Sequence, residues 1–142
     1  MPAKSATQAL WLLTDSTIID TLPAVTDAEK RVPLVFFRSD TGSEPVSDWL
    51  RELPRADRRV VGAGLKDLEF GWPIGMPLCR ALGGGLFELR VSLRSRRIAR
   101  VMVCVHESEL VALHAFIKKT QKTPAGDMTL ARSRKRQLER AK

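Results

Sequence analysis

Two cysteines, two histidines and no tyrosine in 142 residues leave this chain short of the side chains on which many sites are built. Cys79 and Cys104 are too far apart for a CxxC redox or zinc pattern and too few for a disulfide framework. They read as buried thiols in a reducing compartment. Long apolar runs are missing as well. Near the N-terminus the clearest, residues 9–13, is far too short to span a membrane, and no longer apolar run with a small-residue cleavage site marks a signal peptide. A cytoplasmic protein without a membrane partner is expected. Phosphate loop, nucleophile elbow and HExxH patterns are all absent, and Gly83-Gly84-Gly85 lacks the following helix that a dinucleotide site requires. Those glycines predict a tight turn into a strand that begins at Leu86. His106 and His114 are the only histidines and acids near them are sparse, so neither a zinc nor a magnesium site is expected, and no cofactor. No repeat or low-complexity segment interrupts the chain.

What the chain does have is positive charge, unevenly placed. Its length and its 44% hydrophobic, 28% charged composition are ordinary for one globular domain. The formal net charge is +8 and the isoelectric point about 10.2. Residues 1–78 carry 9 Lys and Arg against 11 Asp and Glu, whereas residues 79–142 carry 15 against 5. A field of that sign gathers phosphates, and its concentration in one half predicts a single basic working surface; a solvated basic tail is the plain alternative.

Residues 1–32 show weak periodicity and several breakers, with Leu10, Trp11, Leu13, Ile18, Ile19 and Leu22 as anchors for a docked helix. A flexible arm, or residues upstream of the natural start, would read the same way. This stretch is treated as an extension of unknown role preceding a domain over residues 33–142. Residues 34–37 predict a short buried strand. Ser43 before Glu44-Pro45 predicts a capped helix start, with Val46, Trp49, Leu50 and Leu53 on one face. Pro54 opens a second helix carrying Val60, Val61, Gly64, Leu65 and Leu68, which ends near Gly71 and Pro73. The period then becomes two: Phe87, Leu89, Val91 and Leu93 face one way, and Glu88, Arg90, Ser92 and Arg94 the other, which puts Arg90 on the exposed face. Residues 98–105 are apolar on both sides except at Arg100, as in a central strand, and residues 110–117 make a third run. Short polar breaks at Ser95-Arg96 and Glu107-Ser108 predict hairpins and an antiparallel meander. Thr123-Pro124 restarts a helix with Asp127 in its first turn and a thin stripe of Leu130 and Leu138. Its remaining surface is Arg132, Arg134, Lys135, Arg136 and Arg140.

The sheet therefore collects a basic group from its strands: Arg90, Arg100, and His114 with Lys118, which share a side because they differ by even steps. Cleaving an RNA phosphodiester requires a base for the 2′-hydroxyl, an acid for the leaving 5′-oxygen, and cations where charge builds on the phosphate. Histidine suits either proton role near neutral pH, a lysine crowded by cations can assist, and arginine holds two phosphate oxygens without titrating. No metal is needed. Each residue has a structural alternative. Arg100 either pairs with an acid such as Glu88 or faces a cleft. A histidine on a strand, such as His114, is more often a satisfied half-buried residue than a catalyst, and Lys118, Lys119 and Lys122 usually form a solvated loop. Phe87, Phe116 and Trp72 read as core, although Phe116, on the His114 side, could stack on a splayed base.

The segments GGGLFELRV (residues 83–91), RVMV from Arg100, and LHAFIKKTQKTP (residues 113–124), followed by a basic last helix, resemble the phage-derived HigB-like toxins of the RelE superfamily. The resemblance spans about residues 33–140. It implies an α+β fold, a compact antiparallel sheet in the order β-α-α-β-β-β-α flanked by helices. It also implies a toxin that cleaves mRNA on the ribosome without a metal, held in check by a HigA-like helix-turn-helix antitoxin. On that pattern Arg90 matches the arginine of the ELR strand, Arg100 the one opening the next core strand, and His114 the late-strand histidine, with Lys118 or Lys119 sharing the proton work. Arg80 stands where these toxins carry a basic residue that contacts RNA. Arg94, Arg96 and Arg97, with Lys119 and Lys122, would bind ribosomal RNA. Departures are the lack of tyrosine, the wide hairpin between Arg90 and Arg100, and the N-terminal extension. A non-catalytic nucleic-acid or ribosome binder, and a phage-derived structural protein, are the competing readings.

Overall fold

The computed structural model describes residues 32–73, 75, 78–118 and 124–140. The expectations for residues 1–31, and for Lys119 and Lys122, lie outside the described residues. The order of elements is β1 (Leu34–Phe36), α1 (Pro45–Glu52), α2 (Arg55–Gly71), β2 (Cys79–Gly83), β3 (Leu86–Ser92), a short 3-10 turn (Arg94–Arg96), β4 (Ile98–His106), β5 (Glu109–Lys118) and α3 (Ala125–Arg140). The fold is α+β: one five-stranded sheet, in the order β1-β5-β4-β3-β2, with helices on both faces.

Strands β3 to β5 form the expected antiparallel meander, with the apolar β4 in the middle, and β2 extends it on the β3 side. Two features differ from the expectation. β2 is an additional strand: Cys79-Arg-Ala-Leu-Gly is too short and too poor in alternation to announce itself, and it exists because β3 offers it a ladder. β1 joins the far edge parallel to β5, Leu34 opposite Leu110, which the long excursion through α1 and α2 permits. The turns fall where the polar breaks predicted them. Gly83, Gly84 and Gly85 all have positive φ (90°, 64° and 81°) between β2 and β3, and Glu107 and Ser108 (51° and 66°) close the two-residue β4–β5 hairpin.

One face of the sheet packs Leu89, Val91, Val101, Val103 and Ala112 against Val46 and Leu50 of α1 and Val61, Leu65 and Leu68 of α2. Gly64 lets α2 come close; a Cβ there would lie 2.8 Å from Val91 Cγ2. The other face packs Val35, Phe37, Leu86, Met102, Cys104, Val111 and Leu113 under Ala131 and Leu138 of α3. Three local expectations are corrected. Ser43 does not cap α1: Glu44 occupies the cap position without a side-chain bond, and Pro45 opens the helix. Val60 is 43% exposed and lies off the buried stripe of α2. On α3, Leu130 is 38% exposed; Ala131, one residue further round, is buried with Leu138, and Met128 packs beside them. Among the described residues no helix is long and apolar enough to cross a membrane.

Candidate functional site

Residues directly opposite on neighbouring strands point to the same side of a sheet. The register therefore lines up Arg80, Glu88, Met102 and His114 across β2, β3, β4 and β5, next to a row of Arg90, Arg100 and Phe116 and a third of Ser92, Ile98 and Lys118. All five sheet residues singled out from the sequence, Arg80, Arg90, Arg100, His114 and Lys118, stand on the face that α3 partly covers. A β-bulge makes this so. Met102 faces His114 but Val103 faces Ala112, so β5 spends an extra residue, Leu113, at that point. Without it the alternation of β5 would turn His114, Phe116 and Lys118 towards α1 and α2; with it, Ala115 and Ile117 go there instead.

A shared face is not equal access. Glu88 is fully buried and lies between two arginines, its Oε2 3.5 Å from Arg100 Nη1 and its Oε1 4.0 Å from Arg90 Nε. The face that alternation marked as exposed is thus an interior surface at Glu88 and Arg100. Arg100 is 0% exposed and takes the paired alternative rather than the cleft. A lone guanidinium there would carry a heavy desolvation cost, and the carboxylate offsets it. Arg90 keeps 18% of its side chain accessible, and its buried Nε has no hydrogen-bond partner. With Leu78, Ser92 and Ile98 it lines an open groove of about 300 Å³. Lys118 is half-buried in the row of Ser92 and Ile98, and Arg80 is exposed on β2.

His114 is held by α3. Its Nε2 is 2.6 Å from Asp127 Oδ1 in the first turn of that helix, and its Nδ1 is 3.4 Å from Arg134 Nη1, which donates at 2.8 Å to the Leu113 carbonyl. A guanidinium can only donate, so this arrangement puts the lone pair on Nδ1 and the proton on Nε2, donated to Asp127. Phe116 stacks on the imidazole, ring centroids 5.6 Å apart at 26°. Burial pulls the Arg134 guanidinium below its ordinary value, yet arginine keeps its proton throughout the working pH range. Asp127 and Arg134 were not legible as partners of His114. Their only sequence signal was a helix-start acid and one more basic residue on what looked like solvent-facing surface.

The β3–β4 connection also differs. Arg94 belongs to the turn and not to the strand. Arg94 and Arg96 are exposed, but Arg97 reaches back to α2 and grips Asp57 in a two-pronged pair, Nη1–Oδ2 2.9 Å and Nη2–Oδ1 3.1 Å. The hydrogen bonds to Asp57 hold the Arg97 proton more tightly than usual. Arg97 is thereby the anchor of the loop. Trp72 meets Phe87 edge-on at 5.0 Å in the core, away from this face. Both cysteines are buried, and burial pushes Cys104 up to about 12, so it is a neutral thiol and no nucleophile at ordinary pH.

A family model, Phage derived protein Gp49-like (DUF891), matches residues 48–136. The chain belongs to the Gp49-like phage-derived family. That family is associated with RelE/HigB-like toxins. The match begins within α1 and ends within α3, so it takes in the whole of the basic face. No curated protein matches the chain.

Proposed function

We propose that this Gp49-like chain is the toxin of a toxin–antitoxin pair and a metal-independent endoribonuclease acting on mRNA in the ribosome. The reading rests on one observation above the others: Arg80, Arg90, Arg100, His114 and Lys118 come from four adjacent strands to one face, within a chain of a toxin-associated family. In the proposed reaction the 2′-oxygen attacks its own 3′-phosphorus and the bond to the 5′-oxygen breaks. The products are a 2′,3′-cyclic phosphate and a 5′-hydroxyl. The phosphate lies in the groove at Arg90, whose guanidinium takes the growing negative charge. His114, with its Nδ1 lone pair available once Arg134 swings aside, accepts the 2′-proton, while Asp127 fixes the ring and steadies the imidazolium that forms. Lys118, opposite Ile98 of the groove, supplies a proton to the 5′-oxygen. Arg100 acts through Glu88 as a positioning residue, setting where Arg90 can reach. Arg80, Arg94 and Arg96, with Lys119 and Lys122, draw the RNA in, and a HigA-like helix-turn-helix antitoxin is the proposed restraining partner.

A second reading, a non-catalytic RNA or ribosome binder, is favoured by the pairing of Arg100 with Glu88 and by the engagement of both His114 ring nitrogens. The two readings part on the RNA ends. Induced expression should give translated mRNA with 2′,3′-cyclic phosphate termini, and Arg90→Ala should lower their yield by about 10²–10³. RNA retention without such ends in the wild type would establish the binder and remove the nuclease.

A further inference from the structure

We propose that the corner where α1 meets α2, together with the β3–β4 loop, is a second RNA-binding surface, built for the phosphate backbone of a double helix. The inference extends the reading of RNA as the partner and does not depend on cleavage. Residues 51–59 contain Arg51, Arg55, Arg58 and Arg59, and the loop adds Arg94, Arg96 and Arg97. Within these two segments the acids are Glu52 and Asp57, and Asp57 is already consumed by Arg97. That pair does more than neutralise. It pins the β3–β4 loop to the first turn of α2, bringing both groups of arginines to one corner. Arg58 Nη1 donates to the Arg51 carbonyl at 3.2 Å and ties the end of α1 into the same arrangement.

Three features mark the corner as a binding surface. Arg55, Arg58 and Arg59 crowd the start of α2, where the helix dipole disfavours cations, and no side chain caps that end. The loop places Ser95 and Arg96 at φ of 62° and 60°, a left-handed conformation that non-glycine residues adopt at a cost, held by Leu93 N–H to the Arg97 carbonyl (2.8 Å) and Arg97 Nε to the Arg94 carbonyl (3.0 Å). All seven cations are arginines; the fork of Arg97 is taken by Asp57, and the planar forks of the others suit phosphate oxygens. A polyanion would relieve the first of these and use the other two. The corner lies with α1 and α2 across the sheet from His114, yet Ser92, which lines the Arg90 groove, is only two residues from Arg94. A single strand in the groove and a duplex at the corner can thus be held together, the duplex by shape and backbone alone.

The test is binding of the full chain to a blunt 16-base-pair RNA duplex and to an unrelated single strand of equal length, followed by fluorescence anisotropy over a range of salt. Arg55→Ala/Arg59→Ala and Arg94→Ala/Arg96→Ala, both pairs at exposed positions, should each weaken duplex binding at least about tenfold and flatten the logarithmic salt slope by about 2. Arg136→Ala, exposed on α3 across the sheet, should leave duplex binding unchanged. Thermal unfolding of each variant confirms that it is folded, and the termini of cleaved mRNA, read in parallel, report separately on the nuclease. Unchanged duplex affinity in both double variants would overturn the proposal. So would wild-type binding to an acidic polypeptide such as polyglutamate without binding to the duplex, which would assign the corner to a protein partner.

Discussion

At the scale of single residues, the decisive fact is that Glu88 is buried between Arg90 and Arg100. Removing one member of such a group strands the others without water. Glu88→Ala should therefore cost about 3–5 kcal/mol in chemical denaturation, with most of that loss arising from the abandoned Arg100. An Arg100→Met, Glu88→Leu double variant should recover much of it, because the pair is then replaced by apolar volume and no charge is left alone. If the single variant were as stable as wild type, the interior pairing would be wrong. Cys104 makes a prediction of the opposite kind. Its folded thiol ionises near 12 against an ordinary value of 9.0, so between those values the folded chain holds a proton that the unfolded chain gives up. Stability should decline as pH climbs through that window, and less so in Cys104→Ala measured against its own neutral-pH value. In native protein near neutral pH the thiol should react with alkylating reagents only on the timescale of unfolding.

At the scale of elements, two contacts set how the layers meet. α2 lies close over β3 because Gly64 has no side chain. Gly64→Ala would gain about 1 kcal/mol of helix propensity, but the new methyl would meet the stiff, β-branched Val91 at 2.8 Å, an overpacking cost of about 1–3 kcal/mol. A net loss near 1 kcal/mol is expected in urea unfolding, and a net gain would show that α2 slides freely. α3 depends on fewer apolar contacts. Ala131 and Leu138 are its buried residues, and polar links complete the seat: Asp127 to His114, Arg134 to the Leu113 carbonyl, and Arg132 to the carbonyls of Leu82 and Gly83. Ala131→Asp puts a carboxylate against Met102 and its neighbours and should lift this helix while leaving α1 and α2 in place. The measurable results are faster amide exchange in α3 and faster modification of His114 by an imidazole reagent. Unchanged reactivity would mean that α3 does not guard the histidine.

At the scale of the whole molecule, charge and architecture act together. The excess of cations after residue 78 falls on the face of β2 to β5, on α3 and on the β3–β4 loop, while the α1–α2 corner adds arginines from an otherwise acidic half. Under the proposed function, association with ribosomes should weaken steeply with salt, each neutralised phosphate adding about 0.9 to the logarithmic slope on a duplex. Induction should arrest growth, and a small helix-turn-helix protein encoded beside this chain should reverse the arrest. Survival of induced cells with intact mRNA would remove the toxin reading at this scale.

Much of the architecture could be read from residue order, because local rules decide it. Period-two alternation defined β3, uninterrupted apolarity put β4 in the middle, helical spacing defined α1 and α2, and three consecutive glycines marked the turn before Leu86. Chain order also singled out the cations of the basic face. What the order could not decide was which of them water can reach. The bulge at Leu113 turns His114 to the side of Arg100, Glu88 and Arg100 close on each other in the interior, and Asp57 captures Arg97 from the neighbouring layer. Those outcomes depend on register and on elements brought together from distant parts of the chain, and burial and ion pairing are properties of such meetings. A side chain's type is written in its own codon, whereas its solvation and partners are settled only when the layers close.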